Sequence, residues 1–171
     1  MNNSRISVIH ADITTLDVDV IVNAANSRLI PGGGVDGAIN KAAGPELAQA
    51  TMAIGRCLTG QAVITPGFKL KSRYVVHTVA PVFSQHTESD VWRLLGHCYR
   101  NSLKLAVENG ARSIAFPSLG TGAYGIPIGR GCAVAIATVA EHDPGFEKIL
   151  FCCFSADDAE IYRAELERSG T

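Results

Sequence analysis

The chain has almost no net charge: 15 lysines and arginines face 16 aspartates and glutamates in 171 residues, a formal charge of −1. That balance argues against a dedicated nucleic-acid or membrane-surface protein, which normally presents a basic face. The one cationic cluster, Lys69, Lys71 and Arg73, reads as a solvated strand entrance, so RNA is not expected as a partner. No apolar run approaches the ~18 residues of a membrane helix, and the polar first residues do not resemble a signal peptide. A cytoplasmic protein without membrane attachment is expected. Metal and disulfide spacings are also missing. The five cysteines include no C-x-x-C, their number is odd, and the adjacent Cys152 and Cys153 lie in an apolar strand, which fits reduced core residues. The five histidines are scattered, with no H-x-x-x-H, so neither a metal nor a cofactor is expected. His77, inside an apolar run, reads as a hydrogen-bonded core or rim residue rather than a catalyst.

Glycine is abundant, and its placement is informative. Pro31-Gly32-Gly33-Gly34-Val35-Asp36-Gly37 follows the apolar stretch Asp19–Asn23, and Gly120-Thr121-Gly122-Ala123-Tyr124-Gly125 follows Ser113–Pro117. A glycine run that opens a helix exposes unpaired N–H groups at the positive end of the helix dipole and suits an anion. Two such loops suggest a ligand held from both sides, and a diphosphate fits. Asn26 and Asp36 flank the first loop with polar groups that a bare phosphate clamp would not need.

Strand and helix patterns alternate along the chain without a linker or repeat. Strands are expected at 5–9, 18–23, 61–65, 73–79, 112–117 and 147–154. Helices are expected at 35–43, 45–54, about 88–108, about 127–141 and after Ser155, with Gly44-Pro45 separating the first two. This alternation implies an α/β fold: one domain over residues 1–171, a three-layer αβα sandwich around a mixed, mostly parallel six-stranded sheet. Ligands of such sheets sit at strand carboxyl ends, and both glycine loops leave from there.

Other chemistries fit less well. Gly120, Gly122 and Gly125 spell G-x-G-x-x-G, but only one strand follows them, whereas a dinucleotide-binding fold needs several more βα units. Ser118 lacks the G-x-S-x-G of a hydrolase elbow and reads as a hydroxyl at the mouth of the second loop. Asp12, just after the first strand, is a turn former or an acceptor for an adenine amine. On its own, Asn26 could simply end a strand and Asp36 could sit in a helical first turn.

The combination is more specific. Val20-Ile21-Val22-Asn23-Ala24-Ala25-Asn26, Gly32 through Ile39, and Ala42-Ala43-Gly44-Pro45 resemble the macrodomain family, most closely its MacroD-type branch, which includes bacterial O-acetyl-ADP-ribose deacetylases. Asp12-Ile13, Thr59 through Thr65, His77-Thr78-Val79 and Pro117 through Pro127 extend the resemblance over nearly the whole chain. It implies an ADP-ribose cleft in which Asp12 holds the adenine amine beside the Ile13 backbone and Phe154 stacks on the ring. Ser118 and the loop of Gly120, Thr121, Gly122, Ala123 and Tyr124 would wrap the diphosphate. Gly32, Gly33, Gly34 and Val35 would line the distal ribose, where Asn26 and Asp36 approach a scissile ester.

The implied activity is hydrolysis of ADP-ribose esters: deacetylation of O-acetyl-ADP-ribose and removal of mono-ADP-ribose from acidic side chains of proteins. The rival is a non-catalytic module that only binds ADP-ribose. A carboxylate base accounts for ~10²–10⁴-fold in such chemistry. The residues leave open whether Asp36 or the ligand's own phosphate activates the water. A monomer is expected. The chain departs from the family pattern at Ala11, Pro31, Ala80 and Gly120, and at Asn40, a position often held by histidine, so an Asp–His relay is not available.

Overall fold

The computed structural model describes residues 5–171, and the expected domain's residues 1–4 lie outside it. Six strands form one sheet: β1 (Ile6–His10), β2 (Val20–Ala24), β3 (Ala62–Pro66), β4 (Tyr74–Thr78), β5 (Ser113–Phe116) and β6 (Lys148–Cys153). Their order is β1-β6-β5-β2-β4-β3. The pairs are parallel except β3 with β4, which form an antiparallel pair in the register Ile64 to Val76, joined through Pro66-Gly67. The α-helices are α1 (Gly34–Ala43), α2 (Pro45–Ile54), α3 (Glu88–Glu108), α4 (Ile128–His142) and α5 (Ala156–Ser169). Two 3-10 turns, Ile13–Thr15 and Phe83–Gln85, were not visible in the periodicity, because three residues carry no hydrophobic repeat.

Strand alternation divides the core into two layers. Val20, Val22, Ile114, Phe116, Ile149 and Phe151 face α3, α4 and α5. Ile21, Val75, Ala115 and Leu150 face the other way, toward Ile39, Ala43 and Leu47 of α1 and α2. A ring cluster fills the first layer, with Tyr99 to Phe116 at 5.1 Å, Phe116 to Phe151 at 6.0 Å and Phe151 to Tyr162 at 5.5 Å between centroids. Helix ends follow their capping residues. The side chains of Thr87 and Ser155 accept from the N–H groups of Asp90 and Asp158. Gly44 closes α1 at φ 89°, and Pro45 opens α2. Among the described residues, no helix is long and apolar enough to cross a membrane.

Helix α1 matters most for the site. Ile39 and Ala43 are fully buried, and burying an isoleucine side chain contributes roughly 1.5–3 kcal/mol. Asp36 lies one turn before Ile39 on the same inward stripe, so the packing that docks the helix also carries a carboxylate into the interior.

Candidate functional site

Four adjacent parallel strands deliver the expected site residues from their carboxyl ends. Asp12 follows β1, Phe154 follows β6, Ser118 to Gly125 follow β5, and Asn26 and Gly32 to Val35 follow β2. From β2 the chain runs through α1 and α2 toward β3 and β4; from β5 it runs through α4 toward β6 and β1. Because β2 and β5 are neighbours, the strand order reverses between them, and that reversal opens a crevice. Both glycine loops border it.

The second loop is built to present N–H groups. Its own turns use the amides of Gly125, which donates to Gly122 O at 3.0 Å, and Ile126, which donates to Gly120 O at 2.9 Å. The N–H groups of Thr121, Gly122, Ala123 and Tyr124 have no acceptor among the described residues. Gly120 has φ 78°, a conformation that favours glycine, and a side chain there would come within 2.4 Å of Ile126 Cδ1, which would have to move aside. The loop base is anchored from below: Ser118 Oγ accepts from Thr121 Oγ1 and from Tyr162 Oη, both at 2.9 Å, and Leu119 N–H donates to Tyr99 Oη at 3.2 Å. Ser118 thus serves the loop's structure through two internal bonds.

Around Asp36 the structure builds a buried polar network. Asp36 Oδ1 accepts from Asn23 Nδ2 and Asn40 Nδ2, both at 2.9 Å, while Oδ2 accepts from the Gly32 N–H at 2.9 Å. Burial is the dominant influence and holds the Asp36 pKa above the usual carboxylate range, with the three bonds working against it. Asn23 Nδ2 also donates to His77 Nδ1 at 3.1 Å, and His77 Nε2 lies 3.0 Å from Thr65 Oγ1. Because Nδ1 accepts, His77 carries its proton on Nε2 and donates to Thr65. Burial lowers the His77 pKa to about 4, so the ring is neutral. His77 is thus a core residue, as expected.

The pairing of Asn26 with Asp36 is indirect. Asn26 Nδ2 donates to Ile30 O at 2.7 Å, and its Oδ1 accepts from the Ile30 N–H at 3.3 Å, which closes its own loop. Gly32 stands between the two side chains: a Cβ there would lie 3.3 Å from Asp36 Oδ2 and 3.6 Å from Asn26 Nδ2. Both groups therefore converge on the space that the missing side chain leaves open. A groove of about 560 Å³, lined in part by Ser27, Arg28 and Arg56, runs beside this turn.

At the other end, Asp12 caps the turn Ile13–Thr15 by accepting at Oδ1 from the Thr14 N–H at 3.0 Å and the Thr14 hydroxyl at 2.7 Å. Ile13 is buried in the core, and Phe154 is 91% exposed. An aromatic ring left almost wholly in solvent at a strand end is available to stack on a flat ligand.

A family model described as Macro domain matches residues 22–135. The chain belongs to the Macro domain family. It is 46% identical over 177 residues to the O-acetyl-ADP-ribose deacetylase of Citrobacter rodentium, covering 98% of each chain. The solved Oceanobacillus iheyensis macrodomain with ADP matches it with a TM-score of 0.91 at 40% identity, over 95% of this chain and 90% of that one. The Trypanosoma brucei macrodomain in complex with ADP-ribose matches with a TM-score of 0.85 at 39% identity, over 94% and 68%. The three-layer fold read from the sequence is thus the fold of the family. In this macrodomain, residue-by-residue reading missed Asn23 and Thr65 as part of the site's support. The signal was faint but present: a polar residue inside an apolar parallel strand must find a buried partner.

Proposed function

We propose that this macrodomain hydrolyses ADP-ribose esters, deacetylating O-acetyl-ADP-ribose and releasing mono-ADP-ribose from aspartate and glutamate side chains of proteins. The observation that carries the reading is a buried carboxylate, Asp36, held at both oxygens beside the crevice between two amide-rich glycine loops. The Thr121–Tyr124 amides, with Ser118 and Gly120 shaping their loop, grip the diphosphate. Gly32, Gly33, Gly34 and Val35 line the distal ribose. Phe154 stacks on the adenine, Asp12 receives its exocyclic amine, and the Ile13 backbone flanks it.

Ester hydrolysis then needs a base and a donor. A water oxygen bonds to the carbonyl carbon while its proton passes to Asp36, and the carbon–oxygen bond to the ribose breaks as that oxygen takes a proton back. Burial raises the Asp36 pKa, which makes it a stronger base than a solvated carboxylate, and this supports Asp36 over a ligand phosphate as the proton acceptor. Asn26 spends one amide proton on Ile30 O and keeps the other for the ribose hydroxyl or the developing oxyanion. Turnover of O-acetyl-ADP-ribose and of a glutamate-linked ADP-ribosyl protein by wild type, Asp36→Ala and Asn26→Ala tests the proposal. Both variants are expected to lose turnover. Equal rates in all three would remove these residues from the mechanism, and tight ADP-ribose binding without product from either ester would leave a reader module.

A further inference from the structure

Beside Asp36 is a small pocket of about 10 Å³ lined in part by Asn23, Leu29, Asp36, Asn40, Thr51 and His77. Two carbonyl oxygens of these residues, Asn23 Oδ1 and Asn40 Oδ1, are buried with no hydrogen-bond partner among the described residues. Neither amide can turn over to relieve this. Asn23 Nδ2 gives its two protons to Asp36 Oδ1 and His77 Nδ1, and reversal would set its oxygen against a carboxylate and an imidazole lone pair. Asn40 Nδ2 donates to Asp36 Oδ1 and to Asp36 O at 3.0 Å, and reversal would set oxygen against oxygen twice. The Asp36 charge therefore dictates that both carbonyls point away from it.

The protein's own groups around the cavity offer no proton to those oxygens. The Thr51 hydroxyl donates to Leu29 O at 2.9 Å, and His77 presents a lone pair, its only ring proton going to Thr65. One small neutral group with two donors would satisfy both oxygens. A space of roughly 10–15 Å³ holds one water, provided the water finds two or more polar partners.

We propose that this cavity binds a single structural water that donates one hydrogen to Asn23 Oδ1 and the other to Asn40 Oδ1. The water closes a ring with the two amides and Asp36 Oδ1. It makes Asn23 and Asn40 a fixed cradle, so that Asp36 keeps Oδ2 toward Gly32 and the crevice. The site follows from the hydrogen-bond network alone and stands whether or not the ester-hydrolase reading holds.

Two measurements on the full chain test it. A high-resolution crystal structure of the wild type is expected to show one density peak at hydrogen-bonding distance from both oxygens. In solution, water-selective NMR is expected to give cross-peaks from a long-lived water to the side-chain amide protons of Asn23 and Asn40. Asn40→Leu, which removes one acceptor and fills the space, is expected to abolish the cross-peak to Asn23. A wild-type density map with no peak there, or with either carbonyl rotated onto a protein donor, would overturn the proposal. So would an undiminished Asn23 cross-peak in the leucine variant.

Discussion

Replacing His77 by glutamine separates two consequences of burying an imidazole. His77 is 1% exposed, accepts from Asn23 and donates to Thr65, and its pKa falls from the ordinary 6.5 to about 4 because burial penalises the charged ring. The unfolded chain takes up this proton near pH 6.5, and the folded protein takes it up only near pH 4. The stability supplied by the neutral ring is therefore complete above pH 6.5 and is lost as the pH falls toward 4. The span corresponds to about 3 kcal/mol, a substantial share of the ~5–15 kcal/mol that stabilises a typical domain. Asp36 acts in the opposite sense: burial raises its pKa, so its contribution is present below the unfolded-chain value and fades as the pH rises through the folded one. His77→Gln keeps an acceptor for Asn23 and a donor for Thr65 but cannot titrate. Urea unfolding of both proteins at pH values from ~7 to ~4.5 is expected to show wild-type stability falling relative to the variant by about 2–3 kcal/mol. Curves that stay parallel across that range would refute the neutral, buried assignment and the hydrogen-bond directions built on it.

Other substitutions probe the remaining parts. Asp36→Asn, assayed on O-acetyl-ADP-ribose, is expected to lower kcat by ~10²–10⁴-fold while calorimetry shows ADP-ribose still bound. In wild type, kcat/KM is expected to fall on the acid side at a higher pH than an ordinary carboxylate would give, since burial raises the Asp36 pKa, and this limb should vanish in the variant. Phe154→Ala removes a side chain that is 91% exposed, so stability should change by less than about 0.5 kcal/mol while adenine-stacking affinity falls by about 1–3 kcal/mol, as read by titration calorimetry. Gly120→Ala places a methyl within 2.4 Å of Ile126 Cδ1 at φ 78°, and denaturant unfolding is expected to show a loss of about 1–3 kcal/mol.

The strands, the helices and the two glycine loops were legible because each rests on local rules. Apolar alternation marks β1, short apolar runs mark β2 and β6, and Gly44-Pro45 marks the break between α1 and α2. The support beneath the site was harder to read. Asn23 and His77 lie 54 residues apart, and the bond between them depends on β2 pairing with β4 in the register that sets Asn23 opposite His77. Tyr162 reaches Ser118 across 44 residues, a contact that only the packing of α5 against the sheet can make. Asn26, read as the partner of Asp36, turned out to close its own loop, because an amide four residues from a free backbone carbonyl finds it first.

By itself, the amino-acid sequence determined the layered α/β fold, the family, and the presence of an amide-lined crevice, since these follow from periodicity, glycine placement and motifs that act over a few residues. Tertiary structure decided which groups hold the carboxylate. Asp36 is gripped by Asn23, Asn40 and the Gly32 amide because strand register and helix docking bring them within 2.9 Å of it. Hydrogen bonds depend on separations of tenths of an ångström between groups distant in the chain, and only the assembled core fixes distances that closely.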